Sequence, residues 1–118
     1  MPGTIQTDTG SLRSLGSAQY TSAVAATALT AAQALTGGVI LDSNGAIASG
    51  PNKGVVPAYA LFYVETQAIR YWSSGLVPTA SVGIVIPTNA IFKFNGSLAA
   101  FQMIQVAPTA IINIEYYG

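Results

Sequence analysis

Few residues in this chain are of the types that most enzyme chemistry needs. There is no histidine and no cysteine, so the sequence cannot supply the usual nucleophile–base triads, a histidine general base or a thiolate metal site. Four carboxylates remain: Asp8, Asp42, Glu65 and Glu115. Two carboxylates are enough for glycoside hydrolysis, but Glu65 and Glu115 both fall inside predicted strands, and Glu65 has an oppositely charged candidate partner in Arg70. We therefore expect a protein that is not an enzyme and that holds no metal or cofactor.

The only motif with any likeness to a metal site begins at Asp42. The spacing Asp42-x-Asn44-Gly45 resembles the start of a calcium-binding loop, but the further oxygen ligands and the final glutamate of such a loop are missing. Glycine motifs that cradle phosphate groups are also missing from the sequence. The pattern at Asp42 therefore predicts a turn.

Aromatic residues could form either a sugar-stacking platform or a β-sheet core. Two adjacent pairs, Tyr71-Trp72 and Tyr116-Tyr117, are informative because neighbouring side chains in a strand point to opposite faces. One member of each pair should therefore be buried, while the other faces solvent or a partner. We predict Trp72 and Tyr117 as partner contacts, because exposed aromatic residues are typical of interfaces.

Charge is scarce and balanced. Charged residues make up 7% of the chain and the formal net charge is zero, so association between copies is not opposed by long-range repulsion. Scattered cations suit neither a phosphate backbone nor an anionic membrane surface. We expect a homo-oligomer, a dimer or a trimer, that binds neither nucleic acid nor membrane.

The N-terminal third is the hardest part to assign. Residues 1–18 lack periodicity, which fits either a frayed terminus or an arm that orders on a partner. The isolated apolar residues Ile5, Leu12 and Leu15 are candidate partner contacts on that arm. Residues 19–36 are rich in alanine but contain β-branched residues, so they favour strands with small side chains, with a short helix as the alternative.

Two features bear on localisation. The first residues lack the basic and apolar regions of a secretory signal, and residues 23–35 are too short and too interrupted by polar residues to cross a membrane. We expect a soluble protein made in the cytoplasm.

The rest of the chain predicts strands separated by turns. Residues 39–41 predict a short strand, and residues 42–56 a loop with several turn signals. Residues 58–65 and 69–72 predict a hairpin in which Glu65 and Arg70 lie opposite each other.

Two further predictions concern the chain after that hairpin. Residues 83–86 predict a buried strand. Asn95-Gly96 predicts a second hairpin, with residues 98–106 as its returning strand. Residues 110–117 predict a closing strand, in which Ile112, Ile114 and Tyr116 share a face.

Together these patterns predict an all-β fold of roughly seven or eight short strands. A sandwich, a jelly roll and a small barrel all fit this density of strands. We predict an antiparallel β-sandwich over residues 19–118, jelly-roll-like in type and preceded by the arm of residues 1–18. The chain is too short for regular βαβ crossovers.

The C-terminal half, roughly residues 58–118, resembles a recurrent type of small tailed-bacteriophage virion protein. The resemblance rests on the sequence VETQAIRY at residues 64–71, on Gly75-x-x-Pro78-Thr79 and the residues up to Gly83, on NGSL at residues 95–98 and on NIEYY at residues 113–117. The Ala/Thr-rich stretch ending at residues 34–38 is also similar. Trp72-Ser73-Ser74 departs from the type, because relatives carry charged residues in that turn.

The resemblance implies a capsid cement or decoration protein, commonly a jelly roll, that lies on the capsid surface and bridges subunits of the major capsid protein. The alternatives are a carbohydrate- or receptor-binding module of a fibre or tail, and a structural component of the tail or connector. It also implies that one set of residues maintains the fold rather than binding a ligand: Glu65, Arg70, Gly75, Pro78 and Thr79.

Overall fold

The computed structural model describes residues 13–21, 26–30 and 35–118. Within these ranges the chain contains strands and turns and no helix. The prediction of strands, or of a short helix, for residues 19–36 falls partly outside this range, since residues 22–25 and 31–34 are not among the described residues. The described part contains nine strands: β1 (Ser14–Thr21), β2 (Thr27–Ala28), β3 (Leu35–Gly38), β4 (Tyr59–Glu65), β5 (Ile69–Trp72), β6 (Ile84–Ile86), β7 (Ile91–Phe94), β8 (Gln102–Gln105) and β9 (Ile111–Tyr117).

The strands form two antiparallel sheets. The five-stranded sheet has the order β3-β1-β9-β4-β7, and the four-stranded sheet has the order β2-β8-β5-β6. Every pairing between these strands is antiparallel. The prediction of an all-β, antiparallel, two-sheet chain is therefore confirmed over the described residues.

One hydrophobic core lies between the sheets. Alternation along β9 places Ile112, Ile114 and Tyr116 on the inner face, where all three are buried. The two sheets meet at Phe101, whose ring stacks on Phe62 of the five-stranded sheet at 4.8 Å and on Tyr71 of the four-stranded sheet at 4.9 Å. Such aromatic contacts stabilise the packing beyond simple burial of area.

The hairpin predicted between residues 58–65 and 69–72 is wrong. β4 lies in the five-stranded sheet and β5 in the four-stranded sheet, so the chain crosses from one sheet to the other at residues 66–68. The predicted hairpin at Asn95-Gly96 is wrong for the same reason, because β7 and β8 also lie in different sheets. A turn signal predicts a change of direction, but it does not specify which sheet the next strand joins.

The start of the fold differs from the predicted arm. β1 begins at Ser14 and pairs with both β3 and β9, so residues 14–18 belong to the sheet. Leu15 is 4% exposed and lies in the core, which contradicts its predicted role as a partner contact on an arm. Ile5 and Leu12 lie outside the described residues.

The segment from residue 39 to residue 57 is a loop with a small bridge. The strand predicted at residues 39–41 is wrong, because β3 ends at Gly38. Leu41 makes only an isolated antiparallel bridge to Ile47. The Asp42 carboxylate accepts hydrogen bonds from the main-chain N–H groups of Asn44 and Ala46, at 2.9 and 3.0 Å. Asp42 is therefore a turn residue, as the sequence predicted.

Candidate assembly surface

The predicted partner contacts Trp72 and Tyr117 lie on different sheets. Their neighbours Tyr71 and Tyr116 are buried in the core, which confirms that each adjacent pair divides between core and outer face. Trp72 belongs to β5 in the four-stranded sheet and Tyr117 to β9 in the five-stranded sheet. Because the outer faces of the two sheets point away from each other, these two rings cannot form one sugar-stacking platform.

Glu65 and Arg70 do not pair with each other. The Glu65 carboxylate accepts a hydrogen bond from the Asn113 amide on the outer face of the five-stranded sheet. The Arg70 side chain instead donates to two main-chain oxygens, those of Ala80 at 3.0 Å and Gly83 at 2.9 Å. The predicted ion pair is therefore wrong, because its members lie in different sheets.

Arg70 anchors the loop that joins β5 to β6. Within that loop the main-chain groups of Thr79 and Val82 are hydrogen-bonded to each other, with N···O distances of 2.9 and 3.2 Å. The Thr79 hydroxyl also accepts hydrogen bonds from the N–H groups of Ser81 and Val82. Together these bonds give residues 79–83 a defined shape on the outer face of the four-stranded sheet.

Three of the residues to which the resemblance gave a role in the fold lie in this same loop. Pro78 is fully buried, and Thr79 makes the turn contacts described above. Gly75 has a φ angle of +91°, a conformation that glycine adopts without the steric penalty of a Cβ atom. The loop also borders a groove of about 500 Å³, which is lined mainly by residues 77–80 and 104–108.

The anchored loop and the strand after it expose an unusual run of aliphatic side chains. Leu76 and Val77 are each 62% exposed, and Val82, Ile84 and Val85 are 45–54% exposed. We call these five residues the apolar surface. Scattered apolar residues are common on protein surfaces, but five exposed aliphatic residues within residues 76–85 make this stretch a candidate interaction site. Ile84 and Val85 point to opposite faces of β6, because Ile84 pairs with the buried Tyr71 and Val85 with Arg70. No charged residue occurs between Arg70 and Lys93 in the sequence.

β6 forms a free edge of the four-stranded sheet within the described part of the chain. It pairs with β5 on one side, with Arg70 opposite Val85. The sequence predicted a buried strand here, but only Ile86 is buried, while Ile84 and Val85 are largely exposed. An edge strand has only one neighbour, so a continuous apolar run does not by itself specify burial.

β7, the corresponding edge of the five-stranded sheet, has a different surface. Its exposed Lys93 extends over the Tyr59 ring, with the ammonium nitrogen 4.4 Å from the ring centroid. Tyr59 in turn stacks on Tyr117 at 5.2 Å. A lysine on an edge strand hinders pairing with another strand, and β6 has no comparable residue.

The outer face of the five-stranded sheet combines bonded polar side chains with exposed apolar ones such as Ile91. The Gln19 amide donates to Asn113 at 2.8 Å, and Asn113 donates to Glu65. Partial burial first, and then the nearby Glu115 carboxylate, raise the pKa of the Tyr117 hydroxyl. An open groove of about 520 Å³ crosses this face. Gln19 and Asn113, which are bonded to each other, line this groove together with apolar residues such as Leu61 and Ile91.

The two strand carboxylates are held apart. Glu115 lies opposite Leu61, whereas Glu65 is four residues further along β4, which corresponds to a separation of roughly 13 Å along the strand. Their side chains also have different partners, since the Ser14 hydroxyl donates to Glu115 at 2.7 Å. The arrangement does not form the carboxylate pair that glycoside hydrolysis needs.

Two other kinds of feature are absent from the described part of the chain. Residues 13–21, 26–30 and 35–118 contain no group of three or more His, Cys, Asp or Glu side chains suited to hold a metal ion. The same ranges contain no helix long and apolar enough to cross a membrane.

The apolar surface was missed by sequence reasoning, although its signals are present. The absence of charge from residue 71 to residue 92 is visible in the sequence, as is the run Ile84-Val85-Ile86, which lacks polar alternation.

Comparison of the chain with known protein families, with curated proteins and with solved structures finds no match.

Proposed function

We propose that this chain is a structural protein of a tailed-phage virion, a cement or decoration protein that stabilises the head by bridging subunits of the major capsid protein. In this role it would act by binding rather than by catalysis. The resemblance of residues 58–118 to small virion proteins suggests the setting. The apolar surface supports the mode of action.

We also propose that the two sheets form a jelly-roll sandwich. With β3 set aside, the other eight strands form four pairs, from the outermost in sequence to the innermost: β1 with β9, β2 with β8, β4 with β7, and β5 with β6. A single long hairpin that is rolled up on itself gives this order, with alternate strand pairs in alternate sheets. Jelly rolls are frequent in viral capsid proteins and lectins, so this order favours a virion role without selecting it alone.

The observation that carries the functional proposal is the apolar surface within a charge-free stretch. Burial of half-exposed aliphatic side chains contributes roughly 1 kcal/mol each. The three of them on the loop, Leu76, Val77 and Val82, offset only part of the loss of freedom on association. One contact would therefore be weak, whereas many copies on a regular shell would bind through avidity.

The anchored loop suits a docking role because it has a defined shape before binding. Arg70, Thr79 and Pro78 fix residues 79–83 through the contacts described above. A preformed loop loses less conformational freedom on binding than a mobile one. We therefore place the capsid contact at Val82 and at Leu76 and Val77, the two exposed residues that precede the buried Pro78 in the same loop.

A carbohydrate-binding role has less support. The predicted platform needed exposed rings from both aromatic pairs, and those rings lie on opposite outer faces. A tail or connector role would use the same kind of protein contact and differs only in position within the virion.

The experiment has two steps. Mass spectrometry of purified virions of the encoding phage should detect the chain, and electron microscopy should place it on the head. Heads that lack the protein should lose integrity at a lower temperature and recover when the protein is added back. Absence from the virion, or location only in the tail, would overturn the capsid proposal.

A matched pair of variants tests the surface. Val77 and Val56 are 62% and 61% exposed, so Val77→Lys and Val56→Lys add the same charge at the same exposure. Only Val77→Lys should reduce binding to heads that lack the protein. Equal binding by both variants would exclude the loop as the contact.

A further inference from the structure

We infer that β6 pairs with β6 of a second copy of this chain, so that two four-stranded sheets join edge to edge in a two-fold symmetric dimer. This inference rests on the proposed function only in assigning the apolar surface to protein–protein contact. The inference assigns the β6 edge to a second copy of the chain, whereas the proposed capsid contact lies on the loop before β6.

The edge is available for pairing. β6 is the last strand of its sheet among the described residues, so the main-chain groups on its outer side have no strand partner there. Residues 77–80 of the preceding loop lie away from this side. Val77, Pro78 and Thr79 line the groove with Ile104 and Val106 of the β8 region, so the loop extends across the outer face toward β8, away from β6.

The chemistry of the edge suits a second copy of itself. A two-fold contact brings each surface against its own image, so any charge on the axis meets an identical charge. β6 and its flanking residues from 71 to 92 contain no charge. Antiparallel pairing is also self-complementary, since Val85 can lie opposite Val85 while Ile84 lies opposite Ile86 of the second copy.

The remaining edges are less suitable for this pairing. β7 bears the exposed Lys93, which would meet a second lysine across a two-fold axis. β3 contains two glycines among its four residues, which weakens a strand. β2 has only two residues. Among the described edge strands, β6 combines exposed aliphatic side chains with the absence of a charged residue.

The size of the contact predicts a weak dimer. The exposed aliphatic area of β6 and its neighbours is on the order of a few hundred Å² per copy. A stable complex typically buries about 800 Å² per partner. Pro87 also ends the strand, which limits the pairing to a few residues. Dimerisation should therefore depend on concentration and should saturate at two copies.

The absence of cysteine from the chain allows a direct test. A Val85→Cys variant places one thiol near the two-fold axis, where opposed strand residues are close enough for a disulfide. Under mild oxidation it should form a covalent dimer at least about tenfold faster than Ile91→Cys and Val106→Cys. These controls replace exposed aliphatic residues away from β6.

Sedimentation of the full chain supplies the second measurement. The native protein should shift from monomer to dimer as concentration rises, and Val85→Lys should weaken self-association by at least about tenfold. Val56→Lys should leave it unchanged. Because Val85 is exposed, the Lys variant should keep the melting temperature that the native protein has at concentrations where it is monomeric.

The two proposals can fail separately. A native protein that stays monomeric, with no selective crosslinking of Val85→Cys, would overturn the dimer even if the protein binds phage heads. A dimer that needs Val85 but never occurs in virions would leave this inference standing and remove the capsid role. Association beyond two copies, insensitive to Val85→Lys, would also overturn the two-fold edge contact.

Discussion

Arg70 of β5 donates a hydrogen bond from Nη1 to the carbonyl oxygen of Gly83, 2.9 Å away. This bond joins a strand in the four-stranded sheet to the end of the loop that bears the apolar surface. A second bond from Arg70 Nε to Ala80 makes the contact bidentate toward the loop. The loop conformation therefore depends on a side chain that the sequence assigned to an ion pair.

Replacement of Arg70 should loosen the loop. Arg70→Met keeps much of the aliphatic stem but removes both charge-assisted hydrogen bonds, so we expect a loss of about 1–3 kcal/mol in the free energy of unfolding. Hydrogen exchange at residues 79–83 should rise with it. Arg13→Met is a suitable control, because it removes one exposed bond to Asn52 and should change stability by less than about 1 kcal/mol. Equal effects of both variants would contradict the anchoring role.

Substitution of Gly83 should disturb the same anchor through steric contact. A Cβ atom there would lie 3.1 Å from the Arg70 Cβ and 3.2 Å from the Pro78 Cβ, at a φ angle of +137°. Gly75 also has a positive φ angle, but a Cβ atom at that position would meet open space.

Gly83→Ala should therefore destabilise the protein by more than Gly75→Ala. We expect about 1 kcal/mol for Gly75→Ala from backbone strain alone and about 2–3 kcal/mol for Gly83→Ala. Urea denaturation measures both. A smaller loss for Gly83→Ala would show that the loop relaxes freely and is not held by Arg70.

The buried tyrosines of β1 and β9 should respond differently to loss of their hydroxyls. The Tyr20 hydroxyl donates to the Leu29 carbonyl oxygen at 2.9 Å. The buried Tyr116 hydroxyl has no hydrogen bond of ordinary geometry among the described residues, although it lies near enough to Tyr20 for each to affect the pKa of the other.

Tyr20→Phe leaves a buried carbonyl oxygen without its donor, so we expect a loss of about 1–3 kcal/mol in the free energy of unfolding. Tyr116→Phe removes a poorly bonded polar group from the core and should change stability by less than about 1 kcal/mol. Thermal denaturation of the two variants separates these outcomes. A reversed order would mean that Tyr116 makes the more important hydrogen bond.

Sequence patterns predicted which side chains of a strand face the core better than they predicted which strands pair with each other. Strict alternation in β9 gave Ile112, Ile114 and Tyr116 as one face, and all three are buried. The same approach placed Glu65 opposite Arg70, because it assumed that consecutive strands form a hairpin. In a wrapped arrangement consecutive strands often change sheets, and that choice depends on packing of the whole chain rather than on a local turn.

The candidate surface shows the same limit. The apolar run at Ile84-Val85-Ile86 indicated a strand, and β6 is present. Its exposure follows from its position at the end of the sheet order, which no local pattern specifies. Likewise, nothing in the spacing of Leu15 distinguishes an arm residue from a buried residue of a strand that pairs with β9.

Stability should fall in alkaline solution because of the core tyrosines. Burial is the main cause that raises the pKa of Tyr20 from the ordinary value of 10.0 to about 12, although the contact with Tyr116 partly lowers it. Burial first, and then the neighbouring Tyr20, raise the pKa of Tyr116 further. In the unfolded chain both hydroxyls lose their protons near pH 10, whereas in the folded chain they retain them to higher pH.

The folded state therefore binds more protons than the unfolded state above about pH 10, so the free energy of unfolding decreases as the pH rises. The contribution of Tyr20 is complete below that pH and is lost as the pH passes through about 12. Urea denaturation at a series of alkaline pH values should show a decrease of roughly 1–2 kcal/mol from Tyr20. Tyr20→Phe should reduce this slope despite its lower stability at neutral pH. An unaltered slope in Tyr20→Phe would assign the alkaline transition to other groups.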